Sequence, residues 1–152
     1  MIRMYRKIND EYSEITYTSD LTNPVFTTHD GQVGGNVSLQ LYLKNDESDE
    51  WYSNVRIQPV DLVDAYPYGD VVYSETGWGV KLSAGADEPT IAEWEDIAWG
   101  NTITMPDVGS TSAGDISTYF PFWYLISCPP NIEAITKTDI VLRTTWTENA
   151  VT

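Results

Sequence analysis

Carboxylates are the commonest reactive groups in this chain, with 23 aspartates and glutamates, and two clusters of them could do chemistry. The run Asp46-Glu47-Ser48-Asp49-Glu50 offers hard oxygens to Ca²⁺, which takes six to eight such ligands. It lacks the glycine and the terminal Glu of an EF-hand loop, so the expectation is a solvated hairpin tip, with Asp46, Glu47, Asp49 and Glu50 only a weak metal candidate. Glu93, Glu95 and Asp96 flank Trp94 and Trp99. A carboxyl against an apolar wall gains pKa, and paired carboxylates beside aromatics can serve as the acid and base of a glycosidase. The chain is short for an enzyme with a sugar-binding cleft and acids are abundant throughout, so no catalysis is assigned there.

Other reactive groups are few. Cys128 is the single cysteine and His29 the single histidine, which leaves no internal disulfide and no Cys/His metal site. Cys128 follows a long apolar stretch and precedes Pro129-Pro130, the setting of a structural thiol rather than a nucleophile. His29 lies in the turn-like run Thr27-Thr28-His29-Asp30-Gly31. Neither G-x-S-x-G nor G-x-x-x-x-G-K-[ST] occurs. The expectation is a protein that is not an enzyme and needs no cofactor.

Aromatic residues make a stronger case for binding. Six Trp, ten Tyr and three Phe amount to 12% of the chain, and Trp and Tyr are the side chains that stack on sugars or anchor interfaces. Tyr66, Tyr68, Tyr73, Trp78, Trp94 and Trp99 crowd the middle third. Exposed on one rim, they would make a carbohydrate- or receptor-binding module, with a host-surface glycan as partner. Packed into neighbouring subunits, they would be interface anchors.

The net charge is −15, from 23 acids and eight bases. Such a field repels phosphate backbones and anionic lipid, so neither nucleic acid nor membrane is an expected partner. No apolar run reaches the ~20 residues that span a bilayer as a helix. Three of the bases, Arg3, Arg6 and Lys7, fall in the first seven residues. Ile8-Asn9-Asp10-Glu11 follows them where a signal peptide would need an apolar stretch. The basic tip, about residues 1–8, is therefore expected to be an arm or edge strand that docks on an acidic neighbouring subunit.

The elements that must carry these residues are strands. In residues 37–43, Val37, Leu39, Leu41 and Leu43 alternate with Ser38, Gln40 and Tyr42. Residues 51–57 resume the alternation after the acidic loop, with Trp51, Ser53, Val55 and Ile57 on one side, as in a hairpin or adjacent sandwich strands. Residues 118–127 form the most apolar run, in which Pro121 should mark a bulge or a free edge. Residues 139–146 are rich in β-branched types and make the last strand, while 79–82 and 101–105 are shorter candidates. A single helical turn is expected near Pro89-Thr90-Ile91-Ala92-Glu93-Trp94, after Asp87. The length of 152 residues suits one domain, and the strand grammar predicts a single antiparallel β-sandwich of immunoglobulin-like or Greek-key type across 1–152. Leu39, Leu41, Val55, Ile57, Leu125, Ile140 and Leu142 are its expected core.

The succession of motifs carries a resemblance. Asn23-Pro24, Asp30-Gly31-Gln32-Val33-Gly34-Gly35, Leu41-Tyr42-Leu43-Lys44-Asn45-Asp46 and Trp51-Tyr52-Ser53-Asn54-Val55 come first. Then come Gly77-Trp78-Gly79-Val80-Lys81-Leu82, Glu93-Trp94, Gly100-Asn101 and Thr118-Tyr119-Phe120-Pro121-Phe122-Trp123. Cys128-Pro129-Pro130 and Lys137-Thr138-Asp139-Ile140-Val141-Leu142 close the series. From about Asn23 to Leu142 the chain resembles small virion proteins of tailed bacteriophages with an immunoglobulin-like sandwich, which decorate the head or belong to the neck or tail. The resemblance implies a structural role in the virion, with other virion proteins or copies of itself as partners and no catalytic residues.

Overall fold

The computed structural model describes residues 1–15, 27–61, 78–110, 113–131 and 140–152. Tyr66, Tyr68, Tyr73, the Asn23-Pro24 pair, residues 137–139 and the burial of Ile140 lie outside what it describes. The described residues form two antiparallel sheets and one short helix, an all-β sandwich. The larger sheet holds β1 (Ile2–Ile8), β2 (Glu11–Glu14), β3 (Gly35–Asn45), β5 (Gly79–Ala84) and β7 (Phe120–Cys128), in the order β2-β1-β3-β7-β5. The smaller holds β4 (Glu50–Asp61), β6 (Ile103–Thr104) and β8 (Ile140–Ala150), in the order β6-β4-β8.

Alternation fills the space between them. Leu41 and Leu43 of β3, Phe122 of β7 and Val80 and Leu82 of β5 meet Tyr52, Val55 and Ile57 of β4 in one buried cluster. Leu125 is buried too, whereas Leu39 and Leu142 are only half-buried at its margin. Burial on both faces of β7 over residues 124–128 explains why this run is so apolar.

Several expectations change. The acidic loop is not a hairpin tip, because β3 and β4 belong to different sheets and the chain crosses the sandwich between them. On β4 the inward face is Tyr52, then Val55, Ile57 and Pro59; Trp51 and Ser53 lie on the other. The cause is a β-bulge between Ser53 and Arg56, with Asn54 in the left-handed region at φ 51°, which shifts the side-chain parity by one. Pro121 causes no bulge. Its carbonyl accepts from Gly85 just beyond the last β5 pair, Ala84 with Phe122, so its nitrogen faces a side where the ladder has ended. The open edge of β5 is closed by Asn101, whose amide donates to the Leu82 carbonyl and accepts from the Leu82 N–H, both at 2.8 Å.

The basic N-terminal segment is not an arm. It is β1, held between β2 and β3, with Ile2 buried and Met4 packed on the core. A two-residue turn at Asn9 (φ 50°) and Asp10 (φ 65°) joins it to β2, and these types tolerate that conformation best after glycine.

The different burial of neighbouring leucines gives a test of the core. Leu41→Ala should cost about 2–5 kcal/mol in urea unfolding, and Leu39→Ala clearly less. Equal losses would mean that the two positions are equally enclosed.

Candidate functional site

Asn45, fully buried, organises the corner where the chain changes sheets. Its amide donates to the carbonyls of Glu47 and Glu50 at 2.7 and 2.8 Å, and its Oδ1 accepts from the Glu47 N–H at 2.9 Å. The candidate metal loop is thereby committed to protein partners. Asp46 takes the N-terminal ammonium and the Arg3 Nε, each at 2.7 Å. Glu47 lies 3.6 Å from the same ammonium, and Glu50 accepts from the Tyr52 hydroxyl at 2.7 Å. Asp49 is exposed, and its carbonyl takes the Val151 N–H. No cluster of three or more metal-ligating side chains occurs among the described residues.

The three basic residues of β1 separate. Arg3 bridges Asp46 and Glu14 on the outer face of the five-stranded sheet. Lys7 lies 3.8 Å from Asp10 and 5.4 Å over the Tyr12 ring. Arg6 is paired with Leu41 in register and lines a shallow depression of about 420 Å³ with Asn9, Asp10 and Leu39.

Sequence reasoning missed the tyrosines beside them. Tyr12 and Tyr119 stack at 3.6 Å with 9° between their planes. Tyr5 meets Tyr119 edge-on at 5.4 Å, and Tyr42 meets Tyr12 edge-on at 5.0 Å. Lys44 stands 5.0 Å over Tyr119 and 5.9 Å over Tyr5. Burial raises the pKa of Tyr5 and Tyr42 above the ordinary phenol value. The four rings come from β1, β2, β3 and the residue before β7, and only outward parity on each strand could have hinted at them.

At the other end of that sheet face, α1 (Ile91–Asp96) lies over the strands. Thr90 is its N-cap: Thr90 Oγ1 accepts from the Glu93 N–H, and Glu93 returns a bond to the Thr90 N–H. The expected single turn is therefore present, capped by Thr90. Trp94 is buried beneath it. Lys81, itself buried, donates to the Trp94 carbonyl at 2.7 Å and sits 4.4 Å over the Trp99 ring. Burial lowers the pKa of its ammonium, against a weaker raising influence of Glu95. Trp94, Trp99 and Glu95 thus share one groove of about 490 Å³, whereas Trp78 is elsewhere, half-buried on the core with His29 edge-on at 5.5 Å.

The single histidine and the single cysteine are each held by neighbouring protein groups. His29 Nε2 is 2.9 Å from the Thr27 hydroxyl, and burial lowers its pKa. Cys128 is buried, its thiol donates to the Pro129 carbonyl at 3.4 Å, and burial pushes its pKa up, the reverse of an activated thiolate.

Comparison of the chain with family models, with curated proteins and with solved structures finds no match.

Two outcomes follow from the clamp at the corner. Removing residues 1–8 takes out an interior strand, so the isolated chain should lose cooperative unfolding; an unchanged melting curve would overturn the assignment of β1 to its own sandwich. Burial alone would raise the pKa of Asp46, but its hydrogen bonds from the N-terminus and Arg3 outweigh that and hold it below the ordinary carboxylate value. The stability this contributes is complete above the unfolded pKa near 4 and is lost as pH falls through the lower folded value. Asp46→Asn should therefore flatten the acid side of the stability–pH curve, measured by urea unfolding between pH 5 and pH 2.5.

Proposed function

We propose that this chain is a non-enzymatic structural subunit of a tailed-phage virion, acting through contacts with other protein subunits. The observation that supports this reading best is the Tyr5–Tyr12–Tyr42–Tyr119 cluster on the outer face of the five-stranded sheet. Interfaces favour side chains that bring large contact area with little rotamer entropy, and tyrosine has only two χ angles to fix. Here the rings already hold one another, so little further ordering is needed on docking. Lys44 lies over the Tyr119 and Tyr5 rings and supplies positive charge on a chain of −15, which favours a partner presenting carboxylates. The motif order set out above supports the virion assignment, and the two-sheet sandwich is compatible with a structural role.

The test is sedimentation of the chain with particles of the phage that encodes it. Wild-type protein should associate at a fixed copy number. Tyr12→Ser with Lys44→Glu should weaken association by roughly tenfold or more. Unchanged association by a stably folded double variant would overturn this use of the tyrosine face. Absence of the chain from the particles would overturn the virion role.

A further inference from the structure

The groove beneath α1 lies at the opposite end of the sheet face from the tyrosine cluster, and none of the four tyrosines lines it. Its polar groups are of both kinds. The Lys81 ammonium has three donors and gives one to the Trp94 carbonyl. No carboxylate lies within 4 Å of it among the described residues. Glu88 and Glu95 supply acceptor oxygens; Glu88 takes the Ser38 hydroxyl at 2.6 Å and keeps further lone pairs. The walls are apolar where Trp99 and Leu125 face the space, and Ile91 stands at the lip 81% exposed.

A ligand that satisfies such a lining must both donate and accept hydrogen bonds at closely spaced positions and also present an apolar patch. Hydroxyls on a ring do this. An anion is disfavoured by the two glutamates and by the net charge of −15, and a simple cation would meet the Lys81 ammonium. The volume of about 490 Å³ lies in the range of small-molecule sites. We propose that this groove binds an uncharged sugar residue, with Glu88 and Glu95 accepting from its hydroxyls, Lys81 donating to one, and Trp99 and Ile91 against its apolar face. The chain would then recognise glycan at one end of the sheet face and protein at the other.

The test uses the full chain on an array of neutral and acidic glycans, followed by NMR titration with the neutral methyl hexosides that match the hits. Neutral glycans should bind, and the Trp94 and Trp99 indole N–H signals, assigned from Trp→Phe variants, should shift together. Glu95→Gln should weaken binding by about ten- to a hundredfold, the loss expected for a hydrogen bond to a charged group. Ile91→Asp at the exposed lip leaves the core untouched, and it should weaken binding too, which keeps the test decisive if Glu95→Gln unfolds. Binding only to acidic glycans, no binding at millimolar sugar, or hits indifferent to both substitutions would overturn the proposal. The sedimentation result is unaffected by any of these outcomes, because the tyrosine face is intact in both variants.

Discussion

The buried amide of Asn45 is the constraint on which the sandwich depends. A chain that leaves one sheet for the other must turn through residues whose backbone groups have no ladder to join, and unpaired buried groups are costly. Asn45 supplies three bonds to that turn from a side chain with no exposure at all. The rest of the molecule closes on this corner. A Cβ at Gly109 would stand 2.7 Å from the Asn45 amide nitrogen, and one at Gly114 would collide with the Ser48 carbonyl. Val108 and Tyr52 exchange backbone bonds at 2.7 and 2.9 Å, and Val151 donates to Asp49. Both ends of the chain, two strands from different sheets, Val108, Gly109 and Gly114 thus converge on the corner that Asn45 holds.

The same corner shows how a strongly acidic chain keeps its few cations at work. The N-terminal ammonium and Arg3 share Asp46, and Arg3 also reaches Glu14, so β1 is tied to the corner at one end and to β2 along its length. Exposed ion pairs contribute little singly, but a network anchored on a strand paired on both sides holds its members in place without much further loss of side-chain entropy. Lys44 and Lys81 are handled differently, over aromatic rings. Of these two, Lys44 on the outer sheet face keeps its charge available to something outside the chain, whereas Lys81 is buried. The cations bound to carboxylates do not offer theirs.

Legibility followed the range of the interaction. Strands β3, β7 and β8 were readable because alternation and β-branched content are local, and α1 because its capping box spans four residues. The Asn9-Asp10 turn is local too, but it contains no glycine, and the bases before it have the pattern of an arm. The face of β4 departs from simple alternation because a bulge at Asn54 leaves no mark in a pattern of alternating types; the left-handed tolerance of asparagine is the local hint. Trp94, Glu95 and Trp99 lie close together in sequence, yet Lys81 joins them from a strand more than ten residues away. The tyrosine cluster was the least legible feature. Its rings approach only because β1, β2 and β3 and the start of β7 lie side by side in an order that no local pattern encodes.

The two ends of the sheet face are not isolated from each other. The carbonyl of Ala86, at the root of the segment that carries α1, accepts from Gln40 Nε2 at 2.9 Å and from Trp123 Nε1 at 3.0 Å. Gln40 in turn accepts from the Tyr42 hydroxyl at 3.0 Å through its Oε1. One side chain therefore links the cover of the groove to the tyrosine cluster, using its donor for one and its acceptor for the other. A movement that lifts Ala86 off the sheet would take away the partner of Gln40, and a Gln40 that swings after it would leave the Tyr42 hydroxyl without its acceptor. Tyr42 packs edge-on against Tyr12, so reorienting it disturbs the stacked pair of Tyr12 and Tyr119. Coupling between sites requires such a contiguous set of groups together with an element that has two arrangements. The contiguous set is in place: Ala84 pairs with Phe122, Gly85 donates to the Pro121 carbonyl, and Ala86 accepts from Gln40 and Trp123, so the segment that leads into α1 is held to the same sheet that carries the tyrosines.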